Sequence, residues 1–184
     1  EFPLGSSREE MLYLKAESFR KNGKLKDAVK AYDELMISYP NSNEYLEEVM
    51  FHKGVLQASI KKYPESMNSL KIFLLKFPDS SYSDEVYYWL GYSTSYHAER
   101  LRLKSEEIAL PEFEASTVHF FKLNPKSLSQ AQQLERFNLL GRAWWFLKDI
   151  TQAANAWEKY FDYSNTKSHE EELSLKIQLA TGFQ

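Results

Sequence analysis

Four histidines, His52, His97, His119 and His169, are the side chains best able to ligate a metal or carry a proton, and they lie far apart. None has a second ligand at the helical or loop spacing that a zinc site uses. Cysteine is absent, which removes disulfides, thiolate metal sites and thiol nucleophiles. The acidic pairs Glu9-Glu10, Glu47-Glu48, Asp84-Glu85 and Glu106-Glu107 have the composition of a general acid and base. Most fall where a helix should begin, so the positive end of the helix dipole accounts for them. No glycine-rich phosphate loop or nucleophile elbow occurs. These readings predict a non-enzymatic chain with no catalytic, cofactor-binding or metal-binding residue. What remains is aromatic: Tyr88, Tyr92 and Tyr96 recur every four residues and share one helical face. Such a face either packs between neighbouring elements or receives a partner. Lys21, Lys24, Lys26, Lys61 and Lys62 cluster between predicted helices, where solvated turn residues are the simpler reading.

Positioning those tyrosines requires a folded scaffold, and the composition supplies one. The 184 residues are 43% hydrophobic and 15% aromatic, enough for one continuous core. Against 23 basic residues stand 26 acidic ones, a net charge of -3 with no long run of either sign, so the field that attracts nucleic acid or an anionic membrane is missing. No apolar run has the length of a membrane span. Residues 1–7, EFPLGSS, lack periodicity and read as an expression scar, which would put any signal peptide or lipid-attachment site outside this sequence.

From Ser7 the chain turns regular. Ser7 and Glu10 form a capping-box pattern, Leu12, Ala16 and Phe19 keep helical spacing up to Asn22-Gly23, and Leu25, Ala28, Tyr32 and Leu35 follow on a second helix that stops at Tyr39-Pro40. The interval Ala16 to Pro40 is 24 residues, and Gly54 to Pro78 and Gly141 to Asn165 repeat it. A small residue lies 12 after each start, Ala28, Ser66 and Ala153, and a bulky one four further on, Tyr32, Leu70 and Trp157. Two helices approach closely only where neither carries bulk at the crossing, so this recurrence predicts stacked helical hairpins.

The sets Leu12/Ala16/Phe19/Ala28/Tyr32/Pro40, Met50/Gly54/Tyr63/Ser66/Leu70/Pro78 and Phe137/Leu140/Gly141/Trp144/Ile150/Ala153/Trp157 resemble the tetratricopeptide repeat family. The resemblance implies an all-α, right-handed superhelix of about four hairpins over residues 8–169 (8–42, 43–80, 83–127 and 130–167) with a C-terminal capping helix over 168–184. Glu170, Glu171 and Glu172 stand at the positive end of that last helix, which carries Leu173, Leu175, Ile177 and Leu179. The endings YPNS and FPDS look like those of bacterial envelope members, such as BamD-like lipoproteins and the Tol-Pal accessory protein CpoB. That narrower likeness implies a periplasmic or outer-membrane-associated scaffold. A cytoplasmic or motility-machine adaptor and an accessory domain of a larger enzyme are the alternatives.

In this family the first helix of each hairpin lines an inner groove. Carried over residue by residue, the groove would present Tyr13, Glu17 and Arg20, then Phe51, Val55 and Ser59, then Tyr88, Tyr92 and Tyr96, then Asn138, Arg142 and Trp145. The implied partner is a protein or peptide segment, not nucleic acid. The lysines and asparagines with which chaperone-binding members hold a terminal carboxylate are replaced by Tyr13, Glu17, Phe51, Val55, Tyr88 and Tyr92, although Arg20 and Arg142 could pair with an acidic side chain. The third hairpin departs from the pattern. Gly91 to Pro125 spans 34 residues, counting back from Pro125 puts Phe113 and Thr117 at the small and bulky positions, and Pro111 should open the second helix. The added HAERLRLKSEEIAL is either a lengthened hairpin with a solvated tip or a docking element.

Overall fold

The two proline stops build the same corner twice. In the computed structural model, which describes residues 7–42 and 44–164, helix α2 (Leu25–Ser38) ends one residue before Tyr39-Pro40, and helix α4 (Tyr63–Lys76) ends one residue before Phe77-Pro78. Tyr39 N donates to Leu35 O and Phe77 N to Phe73 O, each at 2.8 Å, and the carbonyls of Tyr39 and Phe77 accept from Ser42 N and Ser80 N at 3.2 Å. The serine hydroxyls then accept from Tyr45 N and Tyr82 N, which starts the next helix. Each aromatic-Pro-x-Ser stretch is thus one hydrogen-bonded corner from hairpin to hairpin.

The remaining helices are α1 (Arg8–Lys21), α3 (Leu46–Ser59), α5 (Ser83–Arg102), α6 (Glu106–Lys122), α7 (Gln130–Phe146) and α8 (Ile150–Ser164), with one 3-10 turn at Pro125–Ser127. The described residues are all-α, without strands, and their eight helices pack pairwise as tetratricopeptide-like hairpins: α1 with α2, α3 with α4, α5 with α6, α7 with α8. Ser7 caps α1 by accepting from Glu10 N at 3.1 Å, and a reciprocal capping box closes on α7, where Ser129 N donates to Gln132 Oε1 at 2.9 Å. The acidic pairs do lie in first turns. Asp84 also accepts from Asn124 N and the Ser127 hydroxyl, tying the start of α5 to the 3-10 turn. The proposed capping helix lies outside the described residues.

Within each hairpin a small residue faces a bulky one. Ala16, Ala28 and Tyr32 are fully buried together, and a Cβ on Gly54 would collide with Leu70, as one on Gly141 would with Trp157. In the third hairpin the residue over Gly91 is Phe120, whose ring atoms lie 2.6 Å from where a Cβ would sit. The small residue four before it is Ser116, fully buried. Phe113 and Thr117 therefore do not hold those positions; the register is three residues later. Pro111 lies inside α6 and does not open it.

The glycine-to-bulky spacing measures the insertion. Gly54 to Leu70 and Gly141 to Trp157 each span 16 residues, whereas Gly91 to Phe120 spans 29. After Gly91, α5 runs 11 residues to its end, where α3 runs five after Gly54; α6 begins ten residues before Ser116, where α4 begins three before Ser66. The third hairpin is longer by six residues on one helix and seven on the other, roughly two turns each at about 3.6 residues per turn. The extension is packed: Ala98, Ala109 and Phe113 are buried against Ala143 and Phe146 of α7, and the Phe113 and Phe146 rings stack 4.8 Å apart.

Candidate functional site

The extended end of α5 faces the start of α4, and the space between them is a cleft of about 500 Å³. Tyr63, at the first position of α4, is buried but presents its ring to two partners: Tyr96, stacked at 5.5 Å, and Tyr92, edge-on at 6.4 Å. The spacing of four brings Tyr92 and Tyr96 to 4.7 Å of each other. Tyr96 donates to Glu135 Oε1 at 2.8 Å, which fixes its ring. Burial first, then the Glu135 carboxylate, pushes the Tyr96 phenol well above its usual range, so it remains a neutral donor. Burial raises Tyr92 and Tyr63 likewise.

Cations rim this aromatic wall. The Arg100 guanidinium lies 4.7 Å above the Tyr63 ring and donates to Lys61 O at 3.0 Å. Arg102 lies 4.5 Å over the Phe146 ring, with a buried Nε that has no hydrogen-bond partner. Lys61 completes the rim, and Leu103, 80% exposed, stands at its edge. Glu99, the single carboxylate in the lining, is paired with Arg142. Among the described residues Lys61, Arg100 and Arg102 form no ion pair.

The other residues singled out from sequence occupy different surroundings. Phe51 and Tyr88 are each 4% exposed; Phe51 stacks on Tyr82 at 4.4 Å and Tyr88 packs beside Phe120, so both lie in the core and offer a partner little surface. Val55 is half-buried against the same core as Phe51. Asn138 and Trp145 are half-buried, Trp145 with its ring 6.1 Å from Trp157. Tyr13 and Arg20 belong to a separate polar group at the first hairpin. Tyr13 stacks on Tyr45 at 4.4 Å and donates to Glu48 Oε2 at 2.9 Å, and Arg20 grips both oxygens of buried Glu17, which also accepts from the Tyr32 hydroxyl. Burial works to raise the Glu17 carboxyl, but the bonds from Arg20 and Tyr32 outweigh it and hold the group below its ordinary value. Contrary to the sequence expectation that no histidine has a second ligand at helical spacing, Glu48 and His52 lie four residues apart on α3 and, with Glu17, present ligand atoms within 4.8 Å of one another. With Arg20 and Tyr32 on Glu17, Tyr13 on Glu48, and His52 held below its usual value by burial and by Arg20, the group is an ion-pair and hydrogen-bond network.

Tyr63, Lys61, Arg100, Arg102 and Leu103 escaped the sequence reading as groove residues. Lys61 reads as a solvated turn residue, and the arginines lie beyond the helix length that the repeat predicts. A second missed feature is Arg136, 6% exposed, whose guanidinium donates to Phe120 O at 3.1 and 3.2 Å beside a cleft of about 420 Å³ lined by Phe121, Phe137, Trp144 and Tyr163.

Paired helices with small-on-bulky crossings and serial stacking make an array of tetratricopeptide-like hairpins. Residues 10–42 match a family model described as tetratricopeptide repeat. Among solved structures, a MamA fragment (41-end) from Desulfovibrio magneticus RS-1 is similar, with a TM-score of 0.57 and 18% identity over 87% of this chain and 77% of that one. At that identity the likeness is one of fold. No curated protein matches the chain. Among the described residues no helix is long and apolar enough to cross a membrane.

Proposed function

We propose that this chain is a non-catalytic scaffold that binds a segment of another protein, with the cleft of Tyr92 and Tyr96, backed by buried Tyr63, as its docking site. The observation that carries this reading is the tyrosine wall itself. Tyr92 and Tyr96, held by stacking on each other and on buried Tyr63 and by the Tyr96–Glu135 bond, form a half-exposed, prearranged surface, and stiff aromatic area costs little ordering when a peptide docks. The repeat fold supports a protein partner, because hairpin arrays present side chains from successive helices to one bound segment. The aromatic-Pro-x-Ser corners, which resemble those of bacterial envelope members, favour a place in a cell-envelope assembly, periplasmic or associated with the outer membrane.

A photo-crosslinking amino acid placed at Tyr92 in the source cell tests both parts. It is expected to give discrete protein adducts that the same group at Ile37, 80% exposed on α2, does not give, and the adducts should fractionate with the envelope. Identical adduct patterns from the two positions would reject the cleft as the docking site. Adducts confined to the cytosol would reject the envelope setting.

A further inference from the structure

The lengthened third hairpin changes the charge of the cleft. Hairpins one, two and four end their first helix five residues after Ala16, Gly54 and Gly141, and the third runs six further. Those added residues reach about 9 Å beyond the neighbouring hairpin ends at about 1.5 Å per residue. They supply Glu99, Arg100 and Arg102, and Leu103 follows at the turn; no other hairpin has an equivalent. In a chain of net charge -3, the lining holds three cations against one carboxylate, and Arg142 already balances that carboxylate. The guanidiniums of Arg100 and Arg102 lie over aromatic rings at 4.7 and 4.5 Å, and Arg102 Nε is a buried donor with no hydrogen-bond partner. Two oriented guanidiniums and a lysine beside tyrosine faces are complementary to carboxylates that alternate with apolar side chains.

We infer that the third hairpin is lengthened to build an acidic-peptide site, and that the segment docking on Tyr92 and Tyr96 carries Asp or Glu side chains for Lys61, Arg100 and Arg102 together with an apolar residue for Leu103 and those two rings. This rests on the docking reading above and adds the chemistry of the partner. Electrostatic attraction brings the segment to the cleft and the tyrosines hold it. Binding therefore weakens as salt rises.

Selection of random dodecapeptides displayed on phage against the full chain tests the inference. Recovered peptides should be enriched in Asp and Glu next to Leu, Phe or Trp. A synthetic copy of the strongest should bind at least about tenfold more weakly to Arg100→Gln/Arg102→Gln, and more weakly in 0.5 M than in 0.05 M salt. Because both arginines touch core rings, Lys61→Gln, at an exposed turn, serves as a second variant that leaves packing intact and should weaken binding in the same direction. Peptides that depend on Tyr92 and Tyr96 but lack acidic enrichment would overturn the inference and leave the scaffold reading standing. Failure to recover any peptide sensitive to Tyr92→Ala would overturn both. A labelled oligothymidine that binds the cleft and is not displaced by acidic peptide would also overturn the inference.

Discussion

Gly91 has no room for a side chain, because a Cβ would stand 2.6 Å from the Phe120 ring. Gly91→Ala should lower stability by about 1–3 kcal/mol, the usual cost of overpacking a filled core, as read by urea denaturation; Phe120→Leu in that background should recover part of the loss. The same small-on-bulky contact was legible in the sequence for Gly54 with Leu70 and Gly141 with Trp157, because their spacing repeats. It was misplaced at Phe113 and Thr117 because Pro125 looked like the counterpart of Pro40 and Pro78. Pro125 instead begins a 3-10 turn, and the residue 12 after Ser116 is Leu128. His119 carries a pH prediction. Burial first, then Lys71 and Lys122, lowers its pKa from 6.5 to about 4. The unfolded chain therefore takes up the proton first as pH falls, so stability present above pH 6.5 is lost progressively toward pH 4. The urea midpoint should drop over that window, and His119→Gln should flatten the drop. His52 is lowered in the same direction, so His52→Gln should remove a further part.

The turns inside the hairpins share a register that sequence reading saw once. Gly23, Lys61 and Lys148 have φ of 70°, 61° and 63°, and each lies seven residues after the small residue of its first helix. Asn22-Gly23 was legible as a turn since glycine marks left-handed backbone; lysine gives no such signal, and only the internal repeat points to Lys61 and Lys148. Lys148→Gly should raise stability by about 1 kcal/mol, the order of the penalty a side chain pays in that region. The Lys148–Glu106 pair it gives up is exposed on both sides and offsets little of the gain. Thermal melting checks the sign, and Gly23→Ala should move the midpoint the other way. The turn of the third hairpin, Leu103 to Ser105, contains no left-handed residue, so this hairpin departs from the repeat in its turn as well as its length.

Over the whole described chain each hairpin packs on the one before and the one after, so a change in one should be felt only by its neighbours. The helix count and pairing were legible because the sequence repeats itself and each copy checks the others. The cleft was legible only through Tyr92 and Tyr96, since Tyr63 comes from the preceding hairpin and Arg100 and Arg102 from an insertion with no copy to compare. Deleting residues 97–102 and 106–112 restores the spacing of 16 between Gly91 and Phe120 and keeps the three-residue turn. The shortened protein should fold. It loses Ala98 and Ala109 from beneath Ala143 and Phe146, and Glu99 from Arg142, so amide exchange should quicken in α7 and α8. Exchange in α1 and α2 should stay as it was, because neither packs extensively on α5 or α6, and α3 and α4 should change only around the turn between them, where Lys61 and Tyr63 lose Arg100. Acidic-peptide binding should vanish while the fold persists. Faster exchange throughout α1 to α4 would mean that the array unfolds as one cooperative unit, in which case the extension serves the stability of the whole stack as well as the cleft.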